Sequence, residues 1–151
     1  MDISQGLAAL YHIGIAYLLA LPIGWSQERS SQSAGLRTFP LVSVGACAYM
    51  LLGHSMMESE EARARVLHGI VTGIGFVGGG AILKSHETVH GTATAASIWN
   101  TGAVGVAVAW DRIDVAVLLA ALNFLTLVVL ARVKPLIDRH PHEQDSKAVE
   151  S

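Results

Sequence analysis

Two short patterns in this chain contain residue types that carry chemistry in enzymes. Residues 69–84, "GIVTGIGFVGGGAILK", include Gly73-x-Gly75-x-x-Gly78, the glycine spacing of loops that hold the phosphates of dinucleotides. Residues 86–90, "HETVH", match the H-E-x-x-H spacing in which two histidines bind zinc and the glutamate activates water. Either pattern alone would predict an enzyme. The positions of the charged residues argue against both predictions.

Charged residues are scarce and are grouped along the chain. They make up 15% of the 151 residues, against about 25% in soluble domains, and the mean hydropathy is +0.47. A helix needs roughly 20 residues to cross the hydrocarbon core, and a charge at its centre costs about 2.5–3.5 kcal/mol. Five charge-free runs approach or exceed this length: residues 3–27, 38–57, 66–83, 88–110 and 115–131. The sequence therefore predicts an all-α, polytopic membrane protein with about five transmembrane helices.

This pattern predicts one transmembrane domain over residues 1–131, followed by a polar, disordered cytoplasmic tail over residues 132–151. The first run lacks a basic segment before it and a convincing cleavage site after it, so we expect a transmembrane helix rather than a signal peptide. The single cysteine, Cys47, excludes an intrachain disulfide and a cysteine-based zinc cluster. A net charge of −2 argues against nucleic acid as a partner.

Basic residues predict the orientation in the membrane. Seven of them fall on the side shared by the first loop, the third loop and the tail, and three fall on the other side. Basic residues concentrate on the cytoplasmic side, so the N-terminus is expected outside and the C-terminus in the cytoplasm. The expected location is the bacterial inner membrane.

The glycine pattern lacks the surroundings of a nucleotide site. A dinucleotide loop follows a strand and needs an acidic residue about 20 positions later, whereas these glycines lie inside a charge-free run and Ile98 stands at that distance. We therefore predict no nucleotide binding. Small residues four apart instead allow close helix packing, and glycines also weaken a helix, so a break at residues 78–80 that shapes a site is the alternative. The glycines predicted to pack helices closely are Gly69, Gly73, Gly75, Gly79, Gly80, Gly102 and Gly105, which would give the third and fourth helices a glycine-rich, tightly packed centre.

The histidine pattern also lacks its usual context. Thr88 and Val89 are β-branched, and the segment is predicted to be a short loop between two spans rather than a helix. The downstream acids that could supply a third zinc ligand lie beyond a predicted span, roughly 30 Å away. We predict no metal site, with weak binding at His86 and His90 as the alternative.

Polar residues near or within the spans are the remaining candidates. Thr38, before a proline in the first turn, is predicted to cap the second helix. Arg37, at the edge of that span, is expected either to extend its side chain to the membrane surface, or to pair with Glu28 or bind an anionic group. Trp99 is expected to pack between helices, and Asn100 to form a hydrogen bond to a neighbouring helix.

Four segments, in this order and spacing, resemble the MgtC/SapB family. They are "ER" at 28–29, "AGLRTFPLVSVGA" at 34–46, "GIVTGIGFVGGGAIL" at 69–83 and "VHGTATAASIW" at 89–99. The resemblance covers about residues 7–130. It implies a bacterial inner-membrane protein linked to growth in low magnesium, to stress tolerance and, in pathogens, to survival inside host cells. The molecular activity of the family is unsettled. Members are generally thought not to pump magnesium, and some act by modulating other membrane complexes.

Carried over by position, the resemblance adds candidate functional residues. Together with those from the residue patterns, the candidates are Glu28, Arg29, Gly35, Arg37, Thr38, Thr94, Trp99 and Asn100. The chain departs from the family at Ala93, where many members have asparagine or threonine. Longer members carry a further soluble domain at the C-terminal end, so we expect no sensing through such a domain here.

Two functions remain open from the sequence. The first is a non-enzymatic protein without a cofactor that acts through helix packing with copies of itself or with another membrane protein. The alternative is a small oligomeric channel or carrier for a cation or small solute, with the third and fourth helices lining the path. No carboxylate lies inside a predicted span, and Mg²⁺ is held by hard oxygen ligands that include acids. This favours the first function.

Overall fold

The computed structural model describes residues 3–30, 34–85 and 88–137. Within them the chain forms five α-helices and one two-stranded antiparallel hairpin. Their bounds are α1 Ile3–Ser30, α2 Thr38–Met56, α3 Glu60–Gly79, β1 Leu83–Ser85, β2 Thr88–His90, α4 Thr92–Ala109 and α5 Ile113–Ile137. The predicted all-α architecture with five helices is confirmed, and the small hairpin is an addition that the sequence did not predict.

Two of these helices have the length and hydropathy of membrane spans. They are α1, over Ile3–Arg29, and α2, over Thr38–Met56. In α5 the apolar stretch is Ile113–Val129. Two such helices agree with a membrane protein, and the count of five spans stays a prediction.

The start of α3 explains why this helix is less apolar than its charge-free run suggests. The helix begins at Glu60, inside the charged segment, because Ser59 accepts a hydrogen bond from the N–H of Ala62 and thereby caps the first turn. Glu60 and Glu61 also lie favourably at the positive end of the helix dipole. Only residues 66–79 of α3 are uncharged, which at 1.5 Å per residue is about 21 Å of helix.

The glycine triplet at residues 78–80 ends α3 rather than breaking it. Gly79 is the last helical residue and Gly80 is the C-cap, whose N–H donates to the carbonyl of Phe76. The chain then enters the hairpin, in which Leu83 pairs with His90. Gly91 follows with a φ of 85°, and a Cβ there would collide with the carbonyl oxygen of Ala81. Glycine is therefore needed at the step from the hairpin into α4.

The centre of the bundle is α4, which packs against all four other helices. Its buried residues include Ile98, Val104 and Val108, and the same core receives Ile23 from α1 and Phe39 from α2. The most extensive contact of α4 is with α2, whereas α3 makes its main contacts with α4 and α2. The prediction that α3 and α4 together form the packed centre is thus corrected: α4 is central, and α2 is its main neighbour.

At its C-terminal end α5 continues to Ile137, six residues into the predicted polar tail. The rest of that tail, residues 138–151, lies outside the described residues.

Candidate functional site

The "AGLRT" segment is held against the C-terminal part of α1 by a hydrogen bond. A carboxylate oxygen of Glu28, Oε2, accepts from the backbone N–H of Leu36 at 2.9 Å. Gly35 is buried beside this carboxylate, and a Cβ at Gly35 would collide with the Glu28 side chain. Gly24, one turn earlier on α1, also lies close to this segment, since a Cβ there would be 3.1 Å from Leu36 Cα. We call the end of the bundle where α1 ends and α2 begins the motif end.

The start of α2 differs in detail from the prediction. Arg37, not Thr38, is the N-cap residue, and its side chain makes no capping hydrogen bond. The carbonyl of Gly35 accepts from the N–H groups of Thr38 and Phe39 at 3.0 and 3.2 Å, which starts the helix. The first turn is therefore set by Gly35 and by the distant Glu28, and Thr38 is its first helical residue.

Arg29 and Arg37, the two candidate arginines at the motif end, are both exposed, and neither pairs with Glu28. Arg37 forms no ion pair with any residue that the structure describes. Arg29 places its guanidinium 5.2 Å from the ring centroid of Trp25, which is a cation–π distance. Arg29 and Arg37 thus present their guanidinium groups to the surroundings, while the nearby Glu28 carboxylate accepts a backbone N–H.

Deeper in the bundle, one face of α4 carries three buried hydroxyl residues, Thr94, Ser97 and Thr101. Their spacing of three and four residues places them on one side of the helix. The hydroxyl of Thr94 donates to Gln27 on α1 at 3.5 Å, so this face also reaches the motif end. The hydroxyl of Thr101 donates to the carbonyl of Ser97 at 2.8 Å.

On the other side of this face, Asn123 of α5 completes a small hydrogen-bonded network. Its Oδ1 accepts from the Ser97 hydroxyl at 2.8 Å. Its Nδ2 contacts the Ser97 carbonyl at 3.2 Å and the Thr101 hydroxyl oxygen at 3.3 Å. Buried polar groups are costly unless they are hydrogen-bonded, so this network fixes how α4 and α5 are rotated against each other.

The other two candidates on α4 face different neighbours. The Nδ2 of Asn100 donates to the carbonyl of Leu119 on α5 at 3.2 Å, a contact between helices of the predicted kind. Trp99 is 52% exposed and borders an open groove, so the expectation that it packs between helices of this chain was wrong.

The glycines predicted to pack helices divide into three groups. A Cβ at Gly105 would collide with the carbonyl oxygen of Ser43 on α2, and one at Gly102 would collide with Ile74 on α3. Gly80, the C-cap, lies near only its own helix end. At four positions no described residue lies within 4 Å of an added Cβ, namely Gly69, Gly73, Gly75 and Gly79. A packing role for these four therefore stays a prediction, because no helix that the structure describes fills the space beside them.

The histidine motif gives no described metal centre. His86 and Glu87 lie outside the described residues, and His90 is an exposed residue of β2 rather than part of a helix. Among the residues that the structure describes, no three histidine, cysteine, aspartate or glutamate side chains form a group that could hold a metal ion.

At the opposite end of the bundle, sequence reasoning missed an ion pair between distant residues. His12 of α1 places Nε2 2.9 Å from a carboxylate oxygen of Asp111, in the turn between α4 and α5. Its Nδ1 lies 2.7 Å from the carbonyl of Ala8. Asp111 adopts a φ of 56°, in the left-handed region that aspartate tolerates better than most residues.

Some of these features had a signal in the sequence. The spacing of Thr94, Ser97 and Thr101 indicates one polar helix face, and it could have been matched with Asn123 on the next span. His12 and Asp111 are separated by 99 positions in the sequence, which leaves no local signal for that pair.

Comparison with known proteins adds independent information. The sequence model of the MgtC family matches residues 13–136. An uncharacterized protein of Synechocystis is 31% identical over 133 residues, covering 88% of this chain and 56% of that protein. Protein MgtC of Brucella abortus is 37% identical over 122 residues, covering 81% of this chain and 50% of that protein.

A further relative, protein MgtC of Salmonella typhimurium, is 40% identical over 91 residues, covering 60% of this chain and 38% of that protein. The chain spans about half the length of the first two of these relatives. No solved structure matches the chain significantly.

Proposed function

Because the chain belongs to the MgtC family of membrane proteins, we propose that it supports bacterial growth in low magnesium or under stress as a non-enzymatic regulator. In this proposal it lies in the inner membrane with its C-terminus in the cytoplasm. It acts by packing α3 against a second copy of itself or against another membrane protein.

The observation that carries the proposal is the uncovered glycine face of α3. Gly69 and Gly73, one turn apart, border an open groove of about 430 Å³ between α2 and α3. The same groove is lined by apolar residues such as Leu41, Tyr49 and Val77. Small residues let helix backbones approach closely in a membrane, where apolar side chains gain little by leaving lipid for protein. This face therefore suits a further helix.

Contacts inside the chain support this use of glycine. Where α4 meets α2 and α3, its Gly102 and Gly105 leave no room for a side chain. Gly78 of α3 likewise lies against the backbone of Ala95, with only 3.0 Å between an added Cβ and the carbonyl oxygen. The fold thus uses glycine for close helix contacts, and Gly69 and Gly73 offer the same surface outward.

A growth experiment tests the proposal. A deletion strain in limiting magnesium is complemented with wild type, with Gly73→Leu, or with Gly6→Leu, a matched change at an exposed glycine of α1 that also has no neighbour within 4 Å. We expect all three proteins to accumulate equally, and only Gly73→Leu to fail to restore growth. If Gly73→Leu restores growth at the same protein level in the membrane, this result would count against α3 as the contact face.

The second candidate is a channel or carrier, which the polar face of α4 favours. Thr94, Ser97 and Thr101 run along the central helix, as a polar path would. However, their hydroxyl groups bond to Gln27, to Asn123 and to the helix backbone. The buried polar residues described here are also all neutral, whereas a cation carrier would be expected to use acidic ligands.

A flux assay separates the two candidates. Purified protein in liposomes is expected to release no more Mg²⁺ than empty vesicles. Magnesium flux above that background, lost in Asn123→Leu but not in the exposed control Leu118→Ala, would favour the carrier.

A further inference from the structure

At the motif end a second groove lies between α1 and α5, away from the glycine face of α3. It has a volume of about 940 Å³, and its lining combines apolar side chains with two arginines. We propose that this groove binds one anionic phospholipid, with the phosphate between Arg29 and Arg132 and an acyl chain along the apolar part. The proposal does not depend on the regulatory function proposed above.

The positions of the lining residues match the shape of a lipid. Along α1 the groove extends from Leu21 to Arg29, and along α5 from Phe124 to Arg132. Both distances are eight residues, or about 12 Å of helix at 1.5 Å per residue. Each arginine is thus the last lining residue of its helix toward the motif end, and the apolar lining residues of both helices precede it along the chain.

The charges at the mouth favour a phosphate. Among the residues that the structure describes, those lining the groove include no acidic one. The nearest carboxylate by position, Glu28, accepts the N–H of Leu36, a residue that does line the groove. Arginine presents a planar set of N–H donors that matches phosphate oxygens in pairs. Basic pockets between membrane helices, at the level of the headgroups, are typical sites for acidic lipids.

Trp25 strengthens the assignment and offers a probe. It is 56% exposed, lines the groove, and lies under the guanidinium of Arg29 at 5.2 Å from the ring centroid. Tryptophan is enriched at the membrane–water interface, which is where the mouth of such a groove would lie. The stacking also holds Arg29 at the mouth, so less conformational entropy is lost when a phosphate binds.

Fluorescence quenching tests the proposal with defined lipids. A variant with Trp99→Phe and Trp110→Phe keeps Trp25 as the single tryptophan. It is purified in detergent and titrated with phosphatidylglycerol or phosphatidylcholine whose acyl chains are brominated, because bromine quenches tryptophan only at short range. We expect saturable quenching by phosphatidylglycerol, and much weaker quenching by phosphatidylcholine with the same chains.

Charge variants then locate the headgroup site. Each arginine near an acidic lipid contributes about a fivefold change in affinity, so Arg29→Gln with Arg132→Gln should weaken phosphatidylglycerol binding about 25-fold. Arg65→Gln is the matched control, because it removes the same charge from an exposed position on α3. The variant Arg29→Lys with Arg132→Lys keeps both charges and should keep most of the preference for phosphatidylglycerol over phosphatidylcholine.

Two further measurements test the proposal even if the glutamine variant does not fold. The first raises the salt from about 0.01 M to about 1 M with the single-tryptophan protein that keeps both arginines. This shortens the Debye length from about 30 Å to about 3 Å and should reduce the preference for phosphatidylglycerol over phosphatidylcholine. Inorganic phosphate at millimolar concentration should not displace the brominated lipid. Any of three results would overturn the proposal. They are equal quenching by both lipids, a preference for phosphatidylglycerol that is unchanged in the glutamine variant or at high salt, and full displacement of the brominated lipid by phosphate.

Discussion

Replacing Gly105 with alanine tests the central packing of the bundle in a single step. A Cβ at this position would collide with the carbonyl oxygen of Ser43, and would lie 2.9 Å from its carbonyl carbon and 3.1 Å from Ala46 Cβ. Two of these three atoms belong to the backbone of α2. They cannot rotate away as the end of a side chain can, so α2 and α4 would have to move apart.

The magnitude follows from two opposing effects. Overpacking a well-packed core costs about 1–3 kcal/mol, and the upper end applies here because the obstacle is backbone. Alanine is more favourable than glycine within a helix by about 1 kcal/mol. The expected net loss for Gly105→Ala is therefore about 2 kcal/mol. Gly73→Ala meets no neighbour and should gain about 1 kcal/mol, since only the helix preference acts.

Reversible unfolding of the purified monomer in mixed micelles, followed by circular dichroism, measures this difference. The two variants should differ by about 3 kcal/mol in the free energy of unfolding. Gly102→Ala should fall between them, because its obstacle is the flexible end of Ile74. Equal stability of the Gly105 and Gly73 variants would refute the close α2–α4 contact.

Three further substitutions have expected outcomes in the same unfolding assay. Glu28→Ala leaves the N–H of Leu36 without its acceptor and should cost about 0.5–2 kcal/mol, as a lost helix cap does, while Glu28→Gln keeps an oxygen and should cost less. Gly91→Ala forces a side chain into a left-handed φ and against a carbonyl oxygen, and should cost at least about 1–3 kcal/mol. Asn123→Leu leaves the buried Ser97 hydroxyl without its acceptor and should cost about 1–3 kcal/mol, whereas the exposed change Leu118→Ala should cost much less.

The extent of the helices could be predicted because charge is excluded from the bilayer core. The second charge-free run, residues 38–57, differs from α2 by one residue at its end. The start of α3 could not be predicted in this way. Glu60 and Arg65 lie before the third charge-free run, which begins at residue 66, yet a capped first turn outside the apolar core can carry both.

The orientation of each helix about its own axis was not predictable, and it decides what the glycines do. Gly73 and Gly105 both occur in small-residue patterns, but only Gly105 faces another helix of the chain. Helix rotation depends on contacts among all five helices, and the small residues of α3 and α4 are too uniform to indicate it. The same limit applies to Trp99, which the sequence placed between helices and the structure places at an open groove.

At the candidate site, the motif was recognisable but its internal contacts were not. Glu28 and Gly35 were singled out by the sequence, and the structure brings them into contact. The sequence offered Arg37 as the partner of Glu28, because opposite charges attract. A backbone N–H beside a buried glycine is the partner instead, and it leaves the arginines of the motif end directed outward.

Photo-cross-linking from the groove beside Gly69 and Gly73 in intact membranes tests most directly whether α3 contacts another chain. A photoreactive phenylalanine of similar size replaces Tyr49, an exposed residue that lines this groove, and the control carries it at Leu118, an exposed residue of α5. We predict one discrete adduct from position 49, with the mass of two copies or of one fixed partner, that disappears when Gly73→Leu blocks the glycine face. No adduct, or the same pattern from both positions, would contradict a regulator that acts through the glycine face of α3.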